Sequence, residues 1–263
     1  MGLNAKSIVE LWRYRELFYF LAWRDVKVRY KQTVLGVAWA VLQPLLTMVV
    51  FMVLFGKIAK ISTDGIPPAL FYFSGLVPWI YFSGTLNMCA NSLVSNVNLI
   101  TKVYFPRIII PAAVALSGIM DFLIAVVFIG GFMIYYGIVP NGQLFLLPFL
   151  IVLLFAFTYG LGMFLAALTA QFRDVKYAAP FFIQLGMFLS PIIYPPSFVS
   201  EQYRFWLGLN PLTGIIDSFR AAIIPDHPIQ WNLLVLSIVV TAVILAVGGV
   251  YFHKVERTLA DVI

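Results

Sequence analysis

The chain has 263 residues, of which 62% are Ala, Val, Ile, Leu, Met, Phe, Trp, Tyr or Cys and only 11% are charged, with a net charge of +6. Mean hydropathy is +0.96. A water-soluble domain carries about 25% charged residues and a polar exterior, so these totals exclude a soluble enzyme, a disordered chain and a nucleic-acid module, and make lipid the solvent for most of the chain.

Taken from the start, no secretory signal is expected. Charges are scattered through the first 33 residues, and the uncharged stretch Leu17 to Trp23 has no small-residue cleavage pattern after it. Segment 7–22 reads as a helix of moderate amphipathicity. Glu10, Arg13 and Glu16 share one arc and Ile8, Leu11, Trp12, Tyr14, Phe18, Tyr19 and Leu21 the other, with Arg15 spoiling the apolar side. That pattern fits a helix lying in the membrane surface. The basic run of Arg24, Lys27, Arg29 and Lys31 follows. It serves as a site for an anionic headgroup such as a lipid-linked pyrophosphate, as an orientation anchor, or as both.

A crossing helix needs about 20 apolar residues. The uncharged runs place spans at 34–56, 70–93, 108–136, 144–170, 178–196 and 231–252. Six spans put both termini on one side. With the N-terminus inside, thirteen of the 17 Lys and Arg residues fall inside, and only Lys57, Lys60, Arg204 and Arg220 outside. The positive-inside rule then makes both termini cytoplasmic. In the first span Trp39, Phe51 and Phe55 are aromatics that line a sugar path, or else face lipid or core. Segment 95–107 is a polar cytoplasmic connector, longer than a plain turn, and a docking candidate for a soluble partner. Asp121 is the one ionisable residue between 108 and 172. It is either functional or a carboxylate satisfied by Ser117 or by backbone. Between spans five and six, 197–229 holds two short apolar pieces broken at Asn210-Pro211. These read as interfacial or re-entrant half-helices that gate a path or pack as a lid.

Dedicated chemistry is absent from the pattern. Gly56-Lys57 is the only Gly-Lys pair and position 51 is Phe, so there is no phosphate-binding loop of the Gly-x-x-x-x-Gly-Lys type. No metal site and no catalytic residue is expected. The single Cys89 excludes an intrachain disulfide, and His227 and His253 stand alone near expected loop ends.

Three stretches carry a family resemblance. They are Arg24-Asp-Val-Lys-Val-Arg-Tyr-Lys-Gln-Thr-Val-Leu-Gly-Val-Ala-Trp-Ala-Val-Leu-Gln-Pro44, then Lys102-Val-Tyr-Phe-Pro-Arg107, and finally Phe172-Arg-Asp-Val175 with Ser190-Pro-Ile-Ile-Tyr194 and Asn210-Pro-Leu-Thr-Gly214. Together they span nearly the whole chain. The chain resembles the transmembrane subunit of type-2 ABC exporters that move O-antigen, capsule and teichoic-acid polysaccharides.

The resemblance implies an all-α, six-span subunit forming one transmembrane domain over 1–263, with 7–22 as the interface helix. It implies two copies around a central channel. A coupling helix at 96–105, with Asn98, Lys102, Tyr104, Phe105 and Arg107, would dock on two copies of a cytoplasmic ATPase that holds ATP and Mg. Outer gate helices at 197–224 would include Phe205, Trp206, Asn210 and Pro211. The cargo would be a polyprenyl-pyrophosphate-linked glycan leaving the bacterial cytoplasm through the inner membrane. No nucleic-acid partner and no cofactor in this chain are expected. The competing functions are an exporter of another lipid or drug, an integral-membrane polyprenyl-phosphate glycosyl transferase, which would need clustered acids for magnesium, and a passive channel.

Overall fold

Helix α3 (Pro68–Ser95) starts at a proline, whose fixed φ and missing N–H suit a first helical turn, and most of its side chains are buried. Against it pack α5 (Ile109–Tyr135) and α6 (Leu147–Gln171), and α10 (Trp231–Glu256) packs in turn on α6. A computed structural model describes residues 13–31, 33–225 and 227–256, and among these every regular element is helical. Five of the helices are long and apolar enough to cross a bilayer: Gly36–Ile58, Pro68–Ser95, Ile109–Tyr135, Gly142–Gln171 and Trp231–Glu256.

Lipid gives little drive for helices to associate, so they must approach closely through small residues. Gly248 of α10 sits against the carbonyl of Gly160 of α6, so that an added Cβ would lie 2.3 Å from that oxygen. Gly162 of α6 leaves room for Cys89 of α3, and Gly118 of α5 for Thr85 and Tyr81. The Phe82 and Phe157 rings stack at 5.1 Å and 3° between α3 and α6.

The first span is not a uniform helix. Gly36, at φ +50°, opens a short 3₁₀ turn, α2 (Trp39–Phe51) follows, and Met52–Ile58 widens into a π-helix. Ahead of it, α1 runs from Arg15 to Tyr30 as one unbroken helix. The surface helix expected over 7–22 therefore extends through the basic run, and its part 7–12 lies outside the described residues. Leu21 and Ala22 pack on Ile109 and Ala113, while Arg29 reaches Ser117 and Asp121. Eight residues along α1 match eight along α5, so α1 lies parallel to the first half of α5 rather than free on a surface. Within the described part of its apolar arc, Tyr14, Phe18 and Leu21 join the cluster around Ile109 and Ala113, while Tyr19 stays exposed.

Two elements correct the expected boundaries. The fifth span, expected at 178–196, is helical only as α7 (Val175–Phe188). Its 14 residues rise about 21 Å, short of a hydrocarbon layer of about 30 Å. An irregular segment continues from Leu189 to Pro195. The path still joins opposite ends of the bundle. It starts beside Gln171, which is tied to Tyr251 near the end of α10. It ends at Ser197, bonded to Asp64 in the loop between α2 and α3. The two prolines at 195 and 196 and the one at 191 keep this stretch out of the helix.

The gate region also differs from a simple lid. Helix α8 (Glu201–Gly208) is exposed on most of its length, but α9 (Pro211–Ile223) is buried at every residue. Gly214 brings α9 so close to α10 that an added Cβ would lie 2.4 Å from the Leu233 carbonyl oxygen.

Candidate functional site

A cleft of about 330 Å³ opens where α1 ends. Its wall includes Arg29 and Tyr30 of α1, Trp39 and Gln43 of α2, Ser83 and Met88 of α3, and Asp121 of α5. The parallel course of α1 along α5 delivers Arg29 and Tyr30 to this level. Both donate to Asp121, the guanidinium to Oδ2 and the phenol to Oδ1. Arg29 also lies 3.4 Å from the Ser117 hydroxyl. Asp121 thus finds its donors across helices, on α1, and not on Ser117 or the backbone of its own helix, which was one of the two alternatives open from the sequence.

The other basic residues of the run face elsewhere. Arg24 bonds Asp25 and the Asn96 side-chain oxygen at 3.2 Å, tying α1 to the end of α3. Lys27 sits over the Trp23 ring at 5.6 Å, and Lys31 is exposed after the helix end. Of the expected channel aromatics only Trp39 borders the cleft. Phe51 is buried, edge-on to Phe55 at 5.2 Å and to Tyr72 at 6.3 Å.

At one end of the bundle, α4 (Val97–Lys102) is shorter than the helix expected over 96–105. Phe105 is buried with Ile100, Leu93, Phe252 and Val255. The Arg107 backbone N–H donates to Glu256 Oε1 at 3.0 Å, and its guanidinium to the Glu256 carbonyl at 2.8 Å. Between these anchors Lys102, Val103 and Tyr104 project, Tyr104 being 93% exposed. Asn98 is exposed as well. Of the five expected coupling residues, Phe105 and Arg107 hold the loop, and Asn98, Lys102 and Tyr104 are available to a partner.

At the other end, Phe205 and Trp206 lie exposed on α8 with ring centres 6.0 Å apart. Asn210 caps α9 by accepting from the Leu212 N–H and donates to Ser190 Oγ at 2.9 Å, while Pro211 occupies the first helical position.

One residue escaped the sequence argument. Arg220 was placed among outer cations, yet it is 0% exposed. It donates to the carbonyls of Pro191, Ile192 and Phe71, the broken backbone that follows α7 and the start of α3. Asp217, on the same helix, meets His227 at 3.2 Å. A charged residue amid an apolar helix beside Asn210-Pro211 was the available signal.

Residues 16–224 match the family model described as ABC-2 type transporter. The chain belongs to that family. Among relatives, an O-antigen export system permease protein RfbA of Myxococcus xanthus is 30% identical over 96% of this chain and 97% of its own. A protein of the same name from Klebsiella pneumoniae is 25% identical over 94% and 95%. The polysialic acid transport protein KpsM of Escherichia coli is 24% identical over 90% and 92%. This ABC-2 type chain is therefore a multi-pass membrane protein, and the five long apolar helices agree with that.

Proposed function

We propose that this ABC-2 chain is the permease subunit of an ATP-driven exporter that moves a polyprenyl-pyrophosphate-linked, O-antigen-like polysaccharide across the bacterial inner membrane. The observation that carries the reading is the match along nearly the full length to relatives named for O-antigen export. The architecture supports it. The fifth crossing is completed by α7 plus the irregular segment to Ser197, giving six crossings with both termini in the cytoplasm. Helix α7 buries only Ala179 and Ile183 and leaves Phe181, Phe182, Leu185 and Phe188 exposed, so a second copy is the fitting cover for it.

The exposed tip Lys102-Val103-Tyr104, fixed by Phe105 and the Arg107–Glu256 contacts, docks one of two ATPase subunits, which bind the ATP and Mg. ATP-driven closure of those subunits pushes on the tip, and because the loop is anchored on α10 the push moves the bundle. Arg29 and Tyr30 receive the pyrophosphate, and Trp39 offers a ring to the apolar faces of sugars. The test is purification with the cognate ATPase, followed by ATP hydrolysis with lipid-linked glycan, with lipid carrier alone and with an amphipathic drug. Stimulation by the glycan alone is the expected result. Stimulation by the drug alone contradicts the cargo assignment.

A further inference from the structure

We infer that Asp121 is an internal stand-in for the substrate's anion: it occupies Arg29 and Tyr30 while the cleft is empty and is displaced when a diphosphate headgroup enters. The inference rests on the headgroup reading given above and adds how that site is regulated.

The argument starts from depth. Asp121 lies 12 residues beyond Ile109, about 18 Å along α5. An arginine carried to that level is costly unless an anion accompanies it. Arg29 meets this need by donating through one guanidinium nitrogen to Asp121, while the other nitrogen faces Ser117 and Met88. Each Asp121 oxygen has one donor, Oδ2 from Arg29 and Oδ1 from Tyr30. A phosphate group presents a like pair of acceptor oxygens to the guanidinium and the phenol, with more charge. The pair is not sealed in the core. Arg29 and Asp121 keep side-chain exposures of 24% and 27%, and Arg29, Tyr30 and Asp121 all border the cleft. An entering anion thus reaches the donors without unpacking a helix. The freed carboxylate turns toward a cleft wall that includes Gln43 and Ser83. No bond forms or breaks covalently; one acceptor replaces another.

A purely structural ion pair and an internal competitor predict opposite signs. Neutralising Asp121 in a structural pair loosens α1 and leaves ligand binding equal or weaker. Neutralising a competitor frees both donors and removes a like charge beside the phosphate, so binding tightens.

The test titrates detergent-solubilised full-length chain with geranylgeranyl pyrophosphate, inorganic pyrophosphate and geranylgeraniol. Asp121→Asn is expected to bind both pyrophosphates at least about tenfold more tightly than wild type, the scale of removing one nearby like charge, with geranylgeraniol unchanged. If only the lipid form tightens, the headgroup is the source; if both do, any diphosphate serves. A second measurement needs no variant: labelling of Asp121 by dicyclohexylcarbodiimide should rise when geranylgeranyl pyrophosphate is added. Unchanged or weaker binding in Asp121→Asn, or unchanged or lower labelling, overturns the inference. If wild type binds and Arg29→Gln does not, the headgroup site survives that outcome; if no form binds, the site itself is refuted.

Discussion

The guanidinium of Arg220 lies 3.8 Å from the centre of the Phe71 ring and donates to the Phe71 carbonyl, joining α9 to the first turn of α3. The same side chain donates to the Pro191 and Ile192 carbonyls in the irregular segment after α7. Non-helical backbone at membrane depth persists only where protein supplies such donors. Gly75 makes the room, since a Cβ there would lie 2.6 Å from Arg220 Nη2.

Arg220→Leu is therefore expected to destabilise the chain by about 3–5 kcal/mol, because it strands buried carbonyls that had a charged donor. Arg220→Lys should fall between, keeping the charge but not the fork. Thermal unfolding in detergent reads both. Equal stability of Arg220→Leu and wild type contradicts the role given to this residue.

Adjacent glycines in α10 should behave oppositely. Gly248→Ala puts a methyl group against the Gly160 carbonyl and must separate α6 from α10, costing about 1–3 kcal/mol. Gly249 has nothing within 4 Å of an added Cβ, so Gly249→Ala is expected within about 0.5 kcal/mol of wild type. The same unfolding experiment compares them, and similar losses at both positions would refute the close contact.

The loop before α5 separates docking from anchoring. Tyr104→Ala should leave the unfolding midpoint unchanged but weaken co-purification with the ATPase. Phe105→Ala should lose about 3–5 kcal/mol of stability by emptying a buried site. Retained association in a Lys102→Glu, Tyr104→Ala double variant would remove the docking assignment.

How much of this was legible in the sequence depends on which force decided it. Hydropathy alone placed the crossings formed by α3, α5, α6 and α10, because lipid exposure rewards an apolar run wherever it lies. The uncharged run over 178–196 is helical only to Phe188, because Pro191, Pro195 and Pro196 follow, and uncharged length does not distinguish helix from irregular chain. Arg29 and Asp121 were each singled out, but not as partners: 92 residues separate them in sequence, and only the parallel packing of α1 on α5 brings them together. Arg220 was sorted by side of the membrane and not by depth, since charge counting carries no information about burial.

The aromatics of the first span make a further contrast. Trp39 borders the cleft and is about half exposed, while Phe51 is in the core. Trp39→Ala should keep stability within about 0.5 kcal/mol yet lower transport. Phe51→Ala should lower stability by about 3–5 kcal/mol. A folded Trp39→Ala protein with full transport would exclude this ring from the path.

The export role itself is tested most directly in sealed vesicles holding this chain and its ATPase, with lipid-linked glycan supplied on the ATPase side. Glycan is expected to become accessible to a glycosidase on the far side only when ATP is hydrolysed. Glycan crossing at the same rate without ATP, or without the ATPase, would contradict it.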